Sequence, residues 1–190
     1  MKPTPSESIE LSSKHTIADY LRMEKGQDRQ GIADLIRLRH RERYVNPVEC
    51  STAKHGFASM ALACLLIETV QSFREGLGDT KGHSRDMFRI FLKHEPGFAI
   101  FAGIADRFFE DVRCGLLHQG ETRKGWTVMR RGPLFDTAEK QLNATRFLKA
   151  VQGSLNIYCD ELEDSDWNSN QWKKCRDKMA AIIQNCEPEE

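Results

Sequence analysis

An arginine and a histidine lie five residues apart in the stretch FFEDVRCGLLHQGE, residues 108–121. Histidine titrates near neutral pH and can move protons, whereas arginine stays charged and can stabilise a negatively charged phosphate. Arg113 and His118 are therefore the first candidates for catalytic residues. The structural alternative is an ordinary polar stripe, in which Arg113 forms a salt bridge with Glu110 and His118 caps the end of a helix.

The element that must position this pair is a helix. Apolar residues recur at helical spacing from Phe98 onward, which predicts one regular helix over residues 98–118. At about 100° per residue, Arg113 and His118 lie roughly 140° apart on its surface, so they are not expected to meet within one chain. Near the centre of the buried face lies Gly115, where a neighbouring helix is expected to approach closely. That face comprises Phe101, Ile104, Ala105, Phe108, Val112, Gly115 and Leu116.

The remaining segments also carry helical patterns. Residues 52–76 are apolar on nearly every side between Phe57 and Phe73, which predicts a central buried helix. Residues 126–136 instead combine β-prone residues with an Arg-Gly-Pro turn and predict a small hairpin. The predicted fold class is therefore all-α, a helical bundle with one small β-hairpin after the helix at 98–118. Further helices are predicted at residues 17–23, 32–38, 84–92, 138–162 and 172–186.

The length of 190 residues suits one domain with a hydrophobic core. Residues 1–15 are polar and contain proline and serine, which predicts a flexible N-terminal tail. The helical domain is expected over residues 16–165. Residues 166–190 are expected to form a C-terminal helix that packs on the outside of this domain.

The composition, 39% hydrophobic and 29% charged, is too apolar for a disordered chain and too charged for a membrane protein. The longest apolar run, residues 60–67, is far shorter than the ~20 residues that a membrane span needs. The N-terminus lacks the apolar core of a secretory signal, so a cytoplasmic location without a membrane partner is expected. The six cysteines are scattered without metal-ligand spacing, so free thiols and no metal site are expected.

Positive charge is concentrated in two runs, although the formal net charge is zero. Residues 37–43, RLRHRER, carry four arginines against one glutamate. The second run, residues 123–131, follows directly after the Arg113–His118 stretch, so its cations are candidates for binding the phosphates of a nucleic acid. For either run, the alternative is a solvated polar surface. The four cations of the second run are Arg123, Lys124, Arg130 and Arg131.

The segment EDVRCGLLHQGE, with Arg-x4-His near the end of a long helix in an all-α chain, resembles the HEPN superfamily. The resemblance is sharp over residues 100–122. Over residues 30–162 it is looser and rests on the order of the helices and on the buried helix predicted at residues 52–76. It implies a metal-independent RNA endonuclease without a cofactor, of the kind found in toxin–antitoxin and anti-phage defence systems. It also implies a homodimer, in which Arg113 and His118 of both chains form one composite catalytic site.

The chemistry of RNA cleavage agrees with these roles, because RNA carries its own nucleophile, the 2′-OH. Cleavage then needs a group that moves protons, such as His118, and a cation that stabilises phosphate charge, such as Arg113. Glu110 and Cys114 lie beside this pair and are assigned supporting roles. Leu117 would be exposed on the same face as Arg113, which predicts that a second copy of the chain covers this face.

The expected partners are RNA, a second copy of the chain and a cognate antitoxin or defence-system subunit. Two other hypotheses stand beside the nuclease. Members of the family commonly carry asparagine or aspartate after the arginine, whereas this chain has Cys114, which supports a non-catalytic HEPN-like module that binds RNA or a protein. The other is a helical scaffold. Gly120 stands where some members carry a tyrosine that is modified, so that form of regulation is not expected.

Overall fold

A computed structural model describes residues 6–51, 53 and 55–186, which are mostly helical, and the mainly α fold class is confirmed. The α-helices are α1 (Ile17–Lys25), α2 (Arg29–His40), α3 (Asn46–Glu49), α4 (Gly56–Glu75), α5 (Ser84–His94), α6 (Ala105–Arg107), α7 (Cys114–Gln119), α8 (Ala144–Asp164) and α9 (Asn170–Gln184). The strands are β1 (Glu10–Ser12), β2 (His15–Thr16), β3 (Thr127–Met129), β4 (Phe135–Asp136) and β5 (Gln141–Asn143). Helices of other pitch are the 3-10 helices Ser6–Ser8 and Ala99–Ile104 and the π-helices Arg41–Val45 and Phe108–Arg113.

The chain divides into two compact units, which differs from the predicted single domain over residues 16–165 with an added helix at 166–190. The boundaries fall within the π-helix Arg41–Val45, within α4, in the loop between α4 and α5, and within α8. Only the loop is marked in the sequence by a linker-like stretch. The first unit comprises the described residues of Met1–Arg43, Ser72–Asp79 and Leu155–Glu190, and the second those of Tyr44–Gln71 and Thr80–Ser154.

The first unit begins with a β-hairpin and a capped helix. Strands β1 and β2 pair in antiparallel fashion, and the side chain of Leu11 is buried. The hydroxyl of Thr16 accepts a hydrogen bond from the Asp19 amide, and the Asp19 carboxylate accepts one from the Thr16 amide, which fixes the start of α1. Within the segment predicted as a flexible tail, residues 6–8 form a 3-10 helix and residues 10–12 and 15 lie in the paired strands, while residues 1–5 lie outside the described part of the chain.

Two arginines of the basic run at residues 37–43 are held by contacts within the first unit. Arg37 lies 2.9 Å from Asp160 and 2.8 Å from Glu163, and both carboxylates belong to α8. Arg39 is buried and donates a hydrogen bond to a main-chain carbonyl of β1. These two arginines therefore belong to the structural framework and are not part of a solvated basic surface.

His40 lies in the core of the first unit. Its ring packs edge-on against Phe73, with the ring centroids 5.4 Å apart, and its Nδ1 lies 2.6 Å from the carbonyl oxygen of Ile36. Burial disfavours the charged imidazolium and lowers the pKa of His40 to about 4. The folded protein therefore keeps this histidine neutral at physiological pH.

The free energy of unfolding should decrease as the pH falls from about 6.5 to about 4. Because the folded pKa of His40 lies below the ordinary value of 6.5, its contribution is present above pH 6.5 and is lost towards pH 4, as the unfolded chain takes up a proton. The difference corresponds to about 3 kcal/mol. Urea unfolding at both ends of the window would measure it. His40→Asn keeps a donor for Ile36 without titrating and should lose about 3 kcal/mol less than the wild type; an equal loss would contradict the assignment.

The second unit contains a cluster of aromatic rings with Phe108 at its centre. The ring centroid of Phe108 lies 5.3 Å from that of Phe147 and 5.5 Å from that of Phe101. Phe88 and Trp126 extend the cluster at 6.1 Å and 6.0 Å. Of the seven residues predicted to form the buried face of 98–118, all are buried except the half-exposed Ile104.

Helix α4 is the long apolar helix expected from residues 52–76. Among the described residues it is long and apolar enough to cross a membrane by length and composition, yet 56% of its most apolar window is buried inside the protein. Met60, Ala63, Cys64 and Ile67 are fully buried along it. This burial is typical of the core helix of a soluble protein.

A three-stranded sheet takes the place of the hairpin predicted at residues 126–136. β5 is the central strand, with β3 paired in parallel on one side and β4 paired antiparallel on the other. β3 and β4 lie where the two hairpin strands are predicted, but both pair with β5. The helix predicted over 138–162 consequently begins later, at Ala144, because the positive φ of 50° at Lys140 interrupts a helix and Leu142 is buried as part of the sheet.

Candidate functional site

The motif segment, residues 99–119, is a succession of short helices of different pitch and not the single regular helix predicted. The 3-10 helix Ala99–Ile104 leads into α6, then the π-helix Phe108–Arg113 and then α7. At the end of the π-helix, the amide of Cys114 donates to the carbonyl of Phe109, five residues earlier. π-Helices are rare and occur frequently at functional sites. A constant rotation of about 100° per residue therefore does not describe this segment.

Arg113 is held by a carboxylate from helix α4. Its Nε and Nη2 lie 2.8 Å and 2.6 Å from Oε1 of Glu68. The two side chains are only 14% and 10% exposed. Burial opposes the charge of the guanidinium, but the hydrogen bond and the charge of Glu68 outweigh it, so the pKa of Arg113 is raised above its ordinary value. The arginine is therefore charged and fixed in orientation.

Two further contacts fix this ion pair. The other oxygen of Glu68, Oε2, accepts a hydrogen bond of 2.8 Å from the hydroxyl of Ser84. The guanidinium carbon of Arg113 lies 5.3 Å from the centroid of the Phe109 ring, within the range of a cation–π contact. A buried charge pair is stabilising only when its groups have further partners, and these contacts supply partners for the second carboxylate oxygen and for the face of the guanidinium.

His118 contacts Arg113 within one chain, so the predicted separation of the two side chains is wrong. Its Nε2 lies 3.4 Å from Nη1 of Arg113, while the imidazole itself is exposed on the last turn of α7. A helical wheel compares only the directions in which side chains leave the backbone, and the length of an arginine side chain bridges the difference. A single chain therefore brings an imidazole and a fixed cation together.

The loop after α7 folds back onto the motif segment. Gly120 ends the helix with a φ of +71°, a conformation that residues with a side chain rarely adopt. A Cβ atom at Gly115 would lie 2.4 Å from the carbonyl oxygen of Glu121. Gly115 is therefore required by the approach of this loop, and the predicted approach of a neighbouring helix is wrong. The amide of Arg123 anchors the loop to the carbonyl of Asp111.

The two residues assigned supporting roles occupy different places. Cys114 is half-buried and follows Arg113 directly, and its side chain is close enough to contribute to the raised pKa of Arg113, so it lies at the site. Glu110 pairs with Arg85 at 2.9 Å on α5. The alternative in which Glu110 is the salt-bridge partner of Arg113 is wrong, because Glu68 occupies that position.

The four cations of the second basic run are spread over the loop and the sheet. Arg123 contacts the motif segment directly, because its Nε donates a hydrogen bond to Oε1 of Gln119, the residue next to His118. Lys124 lies 3.3 Å from Asp111. Farther along the chain, Arg130 reaches the carbonyl of residue 53 at 3.4 Å, and Arg131 is exposed.

Glu68 is not among the residues selected from the sequence, although a signal for it exists. It is the single charged residue between Phe57 and Phe73 in an otherwise apolar stretch. Because an unpaired buried carboxylate is costly, a charge on such a helix indicates a buried partner. The pattern marks Glu68 as unusual, but it does not reveal that Arg113 is the partner.

Comparison with protein families, curated proteins and solved structures finds no match to this chain. Within the described part of the chain, no group of three histidine, cysteine, aspartate or glutamate side chains could hold a metal ion. What the protein does is therefore inferred from the arrangement of Arg113, His118 and Glu68.

Proposed function

We propose that this protein is a metal-independent RNA endonuclease of the HEPN type, which acts as a homodimer in a toxin–antitoxin or anti-phage defence system. The observation that carries the proposal is the contact of 3.4 Å between the exposed His118 and an arginine anchored by a buried carboxylate. The resemblance of the segment EDVRCGLLHQGE to the superfamily supports the same function.

The proposed reaction is an attack of the RNA 2′-oxygen on the adjacent phosphorus. His118 takes the proton of the 2′-OH, the new bond between oxygen and phosphorus forms, and the bond to the 5′-oxygen breaks. The leaving oxygen receives a proton from the second histidine of the composite site. The products are a 2′,3′-cyclic phosphate and a free 5′-hydroxyl.

Arg113 has the geometry to stabilise the charge that develops on the phosphate. A guanidinium has five N–H donors, and Glu68 engages Nε and Nη2, which leaves the N–H groups of Nη1 beside His118. Because Glu68 fixes the guanidinium before RNA binds, little conformational freedom is lost when phosphate is bound. Glu68 is accordingly a positioning residue that acts through Arg113.

The proposal is tested by incubating the purified protein with cellular RNA in the presence and absence of EDTA. Cleavage should persist in EDTA, and the 3′ ends should carry a 2′,3′-cyclic phosphate or its hydrolysis product. Cleavage that disappears on chelation, or that leaves a 3′-hydroxyl with a 5′-phosphate, would contradict the proposed chemistry. RNA binding without cleavage in every buffer would favour a non-catalytic module, since Glu68 already compensates the charge of Arg113.

The homodimer should depend on Leu117, which is half-buried in one chain and lies on α7 between the motif residues. A two-fold interface brings the same face of both chains together, so one aspartate substitution introduces two buried charges. Light scattering at micromolar concentration should give about twice the 21.8 kDa chain mass for the wild type and the monomer mass for Leu117→Asp. Leu21→Asp, at an exposed leucine of α1, is the control and should stay dimeric. A monomeric wild type would contradict the dimer.

RNA affinity should depend on salt through the second basic run. Each lost phosphate contact should reduce the slope of log affinity against log salt by about 0.7 for single-stranded RNA. The double variant Arg123→Glu with Arg131→Glu should therefore bind more weakly and with a shallower slope, measured by fluorescence anisotropy. The double variant Arg146→Glu with Lys149→Glu reverses two exposed charges on α8 and is the matched control. Equal affinities and slopes in both variants would show that the run is a solvated surface.

A further inference from the structure

A cavity of about 360 Å³ lies beside the motif segment in the second unit. Its apolar wall is formed by Ile100, Ile104 and the rings of Trp126 and Phe135, which are stacked on each other with centroids 5.1 Å apart. Pockets of a few hundred cubic ångströms with mostly apolar walls and a small number of polar groups are typical of sites for small molecules. This volume is large enough for one nucleobase with its sugar.

The buried carboxylate of Asp111 lines this cavity. Its side chain is only 5% exposed, and its polar partner among the described residues is the ammonium of Lys124, 3.3 Å from Oδ1. The lysine side chain is 70% exposed, so solvent screens the pair and the contact is easily exchanged. An ionised carboxylate accepts several hydrogen bonds, and one long contact leaves most of this capacity unused. A ligand with adjacent donors would supply the missing bonds.

Cations lie around the same cavity. Arg107, Lys124 and Lys140 all line it and are exposed, whereas Asp111 is the carboxylate that lines it. The ammonium of Lys140 donates to the carbonyl of Lys124 at 3.1 Å, which keeps these two lysines together at the rim. The cavity therefore favours a ligand that presents hydrogen-bond donors inwards and a negative charge outwards.

We propose that this cavity binds a guanine nucleotide, with the base against the apolar wall and the phosphate at Arg107 and Lys140. Guanine carries two adjacent donors, N1–H and the 2-amino group, which match the two oxygens of the Asp111 carboxylate. Adenine and cytosine each present an amino group beside an acceptor, and uracil presents an N–H between two acceptors, so none of them forms both bonds. Displaced by the base, the ammonium of Lys124 remains close enough to the rim to join the phosphate contacts.

The site does not depend on cleavage by Arg113 and His118. Asp111 lies on the same π-helix as Arg113, but its carboxylate lines the cavity while the guanidinium is bound to Glu68. The guanine is free in solution or part of an RNA strand. Both sources share the chemistry that Asp111 recognises, and the experiment separates them.

Binding is measured by isothermal titration calorimetry with GMP, IMP and AMP. GMP should bind and AMP should not, and IMP, which lacks the 2-amino group, should bind about tenfold more weakly than GMP. Asp111→Asn preserves the shape of the side chain but removes the charge and one acceptor, so it should weaken GMP binding by about 10–150-fold. Asp106→Asn, at a half-exposed carboxylate that lines a different cavity, is the control and should bind GMP as the wild type does.

The second arm uses a 2′-O-methyl oligonucleotide, UUGUUU, which has no 2′-OH and cannot be cleaved, beside UUAUUU. Binding of GMP alone identifies a free nucleotide as the ligand, and guanine-dependent binding of the oligonucleotide alone identifies an RNA strand. Either result supports the proposal when Asp111→Asn abolishes the preference for guanine. Equal binding of guanine and adenine, no binding in either arm, or an unchanged preference in Asp111→Asn would overturn it. None of these outcomes depends on whether the protein cleaves RNA.

Discussion

His118→Ala should reduce the rate of RNA cleavage by about 10²–10⁴-fold, which is the usual contribution of general acid–base catalysis. The imidazole is exposed at the end of α7, so its removal should change the free energy of unfolding little. The rate would be measured with one defined single-stranded RNA, and stability by urea unfolding of the same preparation. His94→Ala, which removes an exposed histidine at the end of α5, is the matched control and should cleave at the wild-type rate.

The arginine provides a second measure of the same site. Arg113→Ala should reduce the cleavage rate to a similar extent, and Arg113→Lys should restore little of it. The guanidinium contacts Glu68 through Nε and Nη2 and keeps Nη1 for the phosphate. Lysine has a single nitrogen, which cannot contact Glu68 and the phosphate in the same way. Since Arg113 compensates the nearly buried Glu68, Arg113→Ala should also destabilise the fold, and its rate must be compared at equal folded fraction. A wild-type rate in His118→Ala would remove the histidine from the mechanism.

Phe108→Ala should lower the free energy of unfolding by about 3–5 kcal/mol, the largest stability effect expected in the second unit. The side chain is fully buried and its ring contacts those of Phe147, Phe101 and Trp126, so truncation leaves a cavity that rigid rings cannot fill. Urea unfolding followed by tryptophan fluorescence would measure the change, because Trp126 belongs to this cluster.

The matched control for this truncation is Phe57→Ala. Phe57 lies at the start of α4 with 41% of its surface exposed, so the same chemical change should cost well under 1 kcal/mol. Equal losses in the two variants would mean that the aromatic cluster does not behave as one packed core. A loss of cleavage in Phe108→Ala that exceeds its loss of folded protein would show that the π-helix depends on this ring.

Most helices could be predicted from the sequence, because a helix is recorded in the local spacing of apolar residues. The face containing Phe101, Phe108 and Val112 is buried as the spacing indicates. The sheet was harder to predict from the sequence. The parallel pairing of β3 with β5 joins residues that are separated in sequence and leaves no periodic signal. Residues 141–143 look helical because they directly precede the apolar pattern of α8.

The sequence indicates candidate residues for the site but not their geometry. Residue type and spacing indicate Arg113 and His118, and the structure brings both side chains together. The contact forms because the long arginine side chain reaches across the helix surface, which a helical wheel does not represent. The change from a 3-10 to an α and then to a π pitch, which lies before Cys114, has no counterpart in residue type either. The role of Glu68 could not be predicted from the sequence, because it depends on a contact with Arg113, which is 45 residues away along the chain.

The π-helix at Phe108–Arg113 also makes the number of residues in this part of the chain critical. A π-helix differs from an α-helix by one extra residue within the turn, so deletion of a single residue there would restore α geometry. Everything before the deletion would then rotate by about 100° relative to α7, which would turn the aromatic rings and the site away from each other. Evolution can therefore exchange side chains along this segment far more easily than it can shorten or lengthen it.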